Sequence, residues 1–225
     1  MVFNSSVLTY KVLNFIKNKL FINQNLCGDR DIEWSFVAAN LGQGPGNALD
    51  FGCRQTYLGL MAAQAGYKTI ALDLEPVVWP YHHNNLQFIQ GDILKIDLPK
   101  NHFDLIINSS TVEHVGLSGR YQIKNDIPVG DLQAMQKMLS LLKPQGKMIL
   151  TIPIGQDAVF PPLHRVYGQE RLPKLLQGYT ILKKEFWLKN QEKKWMKVKE
   201  EKALSTPGKE DGYGLGCFVL QKVLK

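Results

Sequence analysis

The sequence predicts an α/β fold, a mostly parallel sheet with helices on both faces and an antiparallel hairpin at its end. Two patterns carry this reading. Short, mainly apolar runs alternate with helical segments from residue 47 to residue 153, as the strands of a parallel sheet covered on both faces do. After the helix around Glu170–Gln177 the alternation stops, and two long strand-like runs follow with no helix between them.

Taken in order, Leu8, Val12, Phe15, Ile16 and Leu20 recur at helical spacing, while Lys11, Asn14, Lys17, Asn18 and Lys19 fill the other face. This predicts an amphipathic helix laid on the core, or over a pocket or membrane surface. Asp31 can N-cap a second helix through Trp34 and Phe36 to about Leu41, its carboxylate accepting from free amides of the first turn. GQGPGN then breaks the chain, so residues 1–45 read as an N-terminal helical cap and 46–225 as the core domain of one compact unit. Strands are expected at NALDF (47–51), KTIALD (68–73), LQFIQ (86–90), FDLIINS (103–109) and KMILTIP (147–153). Helices are expected over Tyr57–Ala65 and Asp131–Leu142, the latter closed by the turn KPQG (143–146). TILKKEFWLK (180–189) and LGCFVLQKV (215–223) form the hairpin, and residues 190–213 read as its long loop.

Composition narrows the partners. With 225 residues, 44% of them hydrophobic, the chain can bury one sizeable core. No apolar run approaches the roughly 18–20 residues that span a bilayer, and the N-terminus lacks signal-peptide features. Cys27, Cys53 and Cys217 are odd in number and widely spaced, which indicates neither a disulfide framework nor a zinc site and fits a reducing cytoplasm. His82 and His83 have no metal-ligand partners in the pattern. The net charge is +7, and residues 181–225 contribute +5 of it, eleven Lys against six Asp or Glu. That excess suits either a solvated lysine-rich surface or an anionic partner.

The chemistry starts at ALDFGCRQTYLG (48–59), a strand, a turn and a helix start. A dinucleotide needs several glycines here so that the backbone can approach its pyrophosphate. Only Gly52 is in place, with Arg54, Gln55 and Thr56 where glycines would be. S-adenosylmethionine (SAM), which carries no phosphate, does not need them. Asp73 ends the second strand 23 residues after Asp50, close to the roughly 20-residue step at which a carboxylate meets ribose hydroxyls, and Glu75 is the fallback. GDI (91–93) offers Asp92 to the adenine amino group and Ile93 as an apolar wall.

Over residues 46–155 the sequence resembles the class I SAM-dependent methyltransferases. LDFGC, ALD, QGDI, FDLIINSSTVEH and LLKPQGKMILTIP follow one another in the order and spacing of that family's motifs. The resemblance implies a Rossmann-like seven-stranded sheet ending in an antiparallel hairpin. It also implies SAM as cofactor, with S-adenosyl-L-homocysteine as product. By position it assigns Asp50 and Gly52 to the methionine end, Asp73 to the ribose, Asp92 and Ile93 to adenine, and Ser109 to the reactive side, with Cys53 and Leu74 also among the cofactor-binding residues. Where Arg54 stands the family usually has a second glycine. Arg54 reads either as a partner for the SAM carboxylate or as solvent-exposed.

EHVGLSGRY (113–121) and HRVYG (164–168) are similar to a little-characterised subgroup of these enzymes. Glu113 and His114 fall at the mouth of the cofactor cleft, where either could take a proton from a substrate hydroxyl or amine. Arg120, Tyr121, Asp131, His164, Arg165 and Tyr167 follow strands four and five, on the substrate side. The two arginines suit an anionic acceptor. The expected activity is methyl transfer to an O or N nucleophile of a small polar metabolite, sugar or natural-product intermediate. Other readings are an RNA or nucleic-acid methyltransferase, a catalytically silent SAM-fold partner subunit and an NAD-dependent oxidoreductase. The missing glycines disfavour the last. NSST in place of N-P-P-Y/F lowers the nucleic-acid option.

Overall fold

The computed structural model describes residues 28–54, 56–119, 121, 123–210 and 212–223. The helix expected over Leu8–Leu20 lies outside the described residues, as do Cys27 and Arg120. The chain runs α1 (Asp29–Asn40), β1 (Gly46–Phe51), α2 (Leu58–Gln64), β2 (Tyr67–Asp73), β3 (Leu86–Gln90) and β4 (Phe103–Ser109). A 3₁₀ turn (Val112–His114), α3 (Gly130–Leu141), β5 (Leu142–Ile154), β6 (Ala158–Phe160), β7 (His164–Val166) and α4 (Arg171–Leu175) follow. The chain then forms β8 (Tyr179–Lys189), β9 (Trp195–Val198), α5 (Glu200–Ser205) and β10 (Gly214–Lys222).

One eight-stranded sheet has the order β3-β2-β1-β4-β5-β10-β8-β9, and β6 and β7 form a separate hairpin. β1 to β5 pair in parallel, whereas β10 is antiparallel to both β5 and β8, and β9 to β8. The sheet is therefore one strand larger than the seven the resemblance implies. The extra strand arises from the segment expected to be a loop: residues 190–213 fold into β9 and α5. The KPQG stretch also departs from expectation. It continues β5, and the register with β4 shifts between Phe103 and Leu105 to absorb it.

Successive side chains of a strand point to opposite faces, and the core divides accordingly. Leu49, Phe51, Ile106, Leu150, Ile152, Phe218 and Leu220 pack on one face with Ala134, Met135 and Met138 of α3 and with Leu172 and Leu175 of α4. Ala48, Leu105, Ile107, Ile149, Leu215 and Cys217 pack on the other with Ile32, Phe36 and Val37 of α1 and with Leu58 and Ala62 of α2. Helix α1, read from sequence as part of a cap, is thus a layer of the core. Its cap also differs from expectation. Gly28 is the N-cap residue, and Asp31, at the third helical position, accepts its amide at 3.2 Å.

The chain steps from β1 to β2 and β3 on one side and then returns to lay β4 on the other. At such a switch point the loops after neighbouring strands part and leave a crevice at their carboxyl ends. No helix among the described residues is long and apolar enough to cross a membrane.

Candidate active site

That crevice holds a cavity of about 440 Å³, within the range of small-molecule sites, roughly 300–1,000 Å³. Its floor is made by the strand ends: Phe51 and Gly52 after β1, Asp73 and Leu74 after β2, Gly91, Asp92 and Ile93 after β3, and Ser109, Ser110 and Thr111 after β4. Arg30 and Trp34 of α1, with His114, Val115, Tyr121 and Ile123, complete the wall.

Gly52 sits at φ +74°, and a Cβ there would lie 2.1 Å from the Thr111 side chain. Both conformation and space therefore require glycine. Arg54, where a second glycine is usual, also takes a left-handed conformation, φ +35°. Hydrogen bonds offset that cost: the Arg54 amide donates to Asp73 Oδ2 (2.9 Å), and its carbonyl accepts Trp79 Nε1 (2.8 Å). The guanidinium lies 3.5 Å from the Tyr121 hydroxyl and 3.9 Å from the Glu75 carboxylate. Asp73 Oδ1 accepts the Glu75 amide at 3.0 Å. Each Asp73 oxygen thus carries one backbone bond and keeps accepting capacity for a ligand. Asp92 Oδ1 accepts the Leu94 amide (2.9 Å), which fixes the turn beside Ile93.

Of the residues expected to bind the cofactor, Gly52, Arg54, Asp73, Leu74, Asp92, Ile93 and Ser109 line the cavity, and Asp50 and Cys53 do not. Asp50 is buried behind the wall, and burial pushes its carboxyl up to about 7 against the opposing pull of the Gly59 amide. That amide belongs to the first turn of α2, so Asp50 ties β1 to the helix. The Cys53 thiol is raised by burial and then by the Asp50 and Asp73 charges, which keeps it protonated and inert.

The candidate acid–base pair divides between two spaces. His114 lines the main cavity, whereas Glu113 faces an adjoining chamber of about 70 Å³. Nδ1 of His114 lies 2.5 Å from the Leu163 carbonyl, so Nδ1 carries the proton and Nε2 is the basic nitrogen. Nε2 is 3.8 Å from Glu113 Oε1. Burial pushes the Glu113 carboxyl up to about 8.

Three of the residues expected on the substrate side lie elsewhere in the structure. Asp131, Arg165 and Tyr167 are buried in a network away from the cavity. Arg171 grips Asp131 through Nε (2.8 Å) and Nη2 (2.5 Å), the Tyr167 hydroxyl donates to Asp131 (3.1 Å), and Arg165 donates to the carbonyls of Glu113, Val115 and Ile127. These bonds clamp the loops after β4 and β5 to α3. His164 lines the small chamber rather than the main cavity, and Tyr121 lines the main cavity. Arg30, Trp34, Ser110 and Thr111 were not foreseen. Thr111 had one sequence signal, its place in NSST after a strand with only a single glycine opposite. Among the described residues no group of three or more His, Cys, Asp or Glu could hold a metal ion.

No curated protein sequence matches the chain. Among solved structures it is similar to the 1,6-didemethyltoxoflavin-N1-methyltransferase of Burkholderia thailandensis, bound to 1,6-didemethyltoxoflavin and S-adenosylhomocysteine. That match has a TM-score of 0.60 at 14% identity and covers 100% of this chain and 92% of that one. It is also similar to the N-methyltransferase NodS of Bradyrhizobium japonicum WM9 in complex with S-adenosylhomocysteine (0.55, 15% identity, 90% and 91% covered). The [4+2]-cyclase SpnF is a further match (0.57, 14% identity, 85% and 80% covered). Identities this low speak for the fold, which is that of the class I SAM-dependent methyltransferases, and the cyclase shows that this fold carries more than one chemistry. The family model described as "Caenorhabditis protein of unknown function, DUF268" matches residues 51–222, most of the sheet and nearly the whole cavity floor. The chain belongs to the DUF268 family.

Proposed function

We propose that the chain is a SAM-dependent methyltransferase acting on an O or N nucleophile of a small polar molecule. The observation that carries this reading is the cavity floor. A single obligatory glycine, the Asp73 carboxylate and the Asp92–Ile93 pair surround one space at the switch point of the sheet. Gly52 lets the methionine end approach the backbone. Asp73 accepts from the ribose hydroxyls, Asp92 accepts the adenine amino group, and Leu74 and Ile93 cover the ring. Arg54, held beside Tyr121 and Glu75, is within the same wall for the cofactor carboxylate. The sulfonium of SAM supplies an already activated methyl group.

The chain's own residues align the acceptor and exclude water, an effect that can supply roughly 7–11 kcal/mol. The Glu113–His114 pair takes the acceptor's proton beside Ser109, Ser110 and Thr111, for about a 10²–10⁴-fold gain when the nucleophile arrives protonated. The lysine-rich end favours a small acceptor over nucleic acid: Lys183 and Lys197 share Glu185 (3.7 and 3.2 Å), and Lys184 pairs with Glu200 (2.5 Å). Buried, unbridged thiols at Cys53 and Cys217 suit work in the cytoplasm. The test is incubation with methyl-labelled SAM and a fractionated metabolite extract. A labelled small molecule supports the reading, label appearing only in added RNA moves the substrate to nucleic acid, and no label from a chain that binds SAM favours a silent subunit.

A further inference from the structure

Three spaces lie in series. The main cavity shares Arg30, Ser110 and His114 with the 70 Å³ chamber, and the chamber shares His164 and Tyr213 with a second cleft of about 500 Å³. Leu188 and Lys189 of β8, Trp195 of β9, Thr206, Pro207, Gly212 and Tyr213 bound that cleft. It is therefore built by the same excursion that adds the eighth strand. With SAM in the main cavity, the cleft is the space left for a second molecule.

The chamber's polar groups specify what can enter it. Arg30 is paired with Glu33 at 2.5 Å, and the Ser110 hydroxyl also donates to Glu33. Arg165 spends its donors on main-chain carbonyls, that of Glu113 included. Glu113 is only 2% exposed, and its Oε2 has no hydrogen-bond partner among the described residues. A buried acceptor left unpaired costs about 1–3 kcal/mol, so it marks a place where a ligand brings the donor. A space of about 70 Å³ takes the end of a ligand rather than its whole body. A donor of that size with affinity for a buried carboxylate is an amine.

We infer that the second cleft binds the methyl acceptor and that the acceptor reaches through the chamber with a primary or secondary amine received by Glu113. This rests on the reading of the main cavity as the SAM site. Balanced, the step is as follows. The acceptor's ammonium beside Glu113 ionises that carboxyl and passes one proton to it. The amine lone pair then forms the new nitrogen–carbon bond as the carbon–sulfur pair passes to sulfur. The methylammonium product leaves and Glu113 is again the neutral acid it was before the ammonium bound; the proton lost to water is the one its carboxyl gave up, by way of His114 Nε2, on that binding. One proton is released per turnover.

Benzylamine and the near-isosteric benzyl alcohol serve as probes, with binding followed by NMR on the full chain at pH 7.5, with and without saturating S-adenosylhomocysteine. Benzylamine is expected to bind at least tenfold more tightly than the alcohol and without displacing S-adenosylhomocysteine. Glu113→Gln should erase that ratio. Gly212→Phe fills the cleft from a position where an added Cβ meets only the Lys209 side chain, at 3.7 Å. It should remove benzylamine binding and leave S-adenosylhomocysteine affinity within twofold. Equal binding of the two probes, a ratio that survives Glu113→Gln, displacement of S-adenosylhomocysteine by benzylamine, or full binding in Gly212→Phe would each overturn the inference. If S-adenosylhomocysteine does not bind at all, the cofactor reading fails instead. The probe ratio and both variants, measured on the ligand-free chain, then still decide the amine site.

Discussion

Glu113→Gln gives the clearest physical test of the interior of the site. The variant keeps the side chain's shape and removes its titration. Burial moves the Glu113 carboxyl from 4.5 to about 8, whereas in the unfolded chain it titrates near its ordinary value. Between those two values the native state holds a proton that the unfolded state has lost, so stability falls as pH rises. At about 1.4 kcal/mol per pH unit, the loss from this one group is on the order of 4 kcal/mol between pH 4.5 and 8. Urea unfolding at pH 5, 6, 7 and 8 measures it. Wild type should lose stability across that range, and Glu113→Gln should be flatter by about that amount and the more stable protein at pH 8. Asp50, pushed up to about 7, leaves a smaller residual slope below pH 7 in the variant, which Asp50→Asn removes. Identical pH profiles for wild type and Glu113→Gln would show Glu113 to be ionised throughout and refute its burial as a neutral acid.

Other outcomes follow from the same contacts. Gly52→Ala places a Cβ 2.1 Å from Thr111 at a left-handed φ; the clash and the conformation together should cost about 2–4 kcal/mol by thermal melt and abolish ligand binding. Asp131→Ala removes the shared partner of Arg171 and Tyr167 and should destabilise by about 3–5 kcal/mol, while S-adenosylhomocysteine affinity of the folded fraction stays unchanged in calorimetry. His114→Ala should leave cofactor affinity intact and slow turnover by about 10²-fold or more once an acceptor is in hand; unchanged turnover would acquit the residue.

The parallel sheet was legible because short, mainly apolar runs alternate with helical segments, and LQFIQ and FDLIINS appear with the expected bounds. The cavity floor was legible for a related reason, since strand ends fix where Gly52, Asp73 and Asp92 emerge. Three things were not. WMKV, the core of β9, is too short and too rich in lysine neighbours to stand out, and it is a strand because Trp195 buries its ring against that face. KPQG carries turn residues and Gln145 takes a left-handed φ of 62°, yet the stretch is a bulge inside β5, between the pairs Phe103–Leu142 and Leu105–Lys147. Asp131, Arg165 and Tyr167 looked like substrate ligands because polar residues after strands usually face the crevice. Their partners lie 36 to 52 residues away in sequence, and such distant pairings leave no local pattern. Arg30 and Trp34 were hidden likewise, since nothing in the sequence says which side of α1 meets the sheet ends.

The most direct test of the account is calorimetric titration of the full chain with SAM and, separately, with NAD. The account expects one molecule of SAM to bind per chain and NAD not to bind. It expects Asp73→Ala to weaken SAM by roughly 10²–10⁴-fold, from the loss of two hydrogen bonds to a charged acceptor at about 1.5–3 kcal/mol each. Binding of NAD in place of SAM, or SAM affinity unchanged in Asp73→Ala, would contradict it.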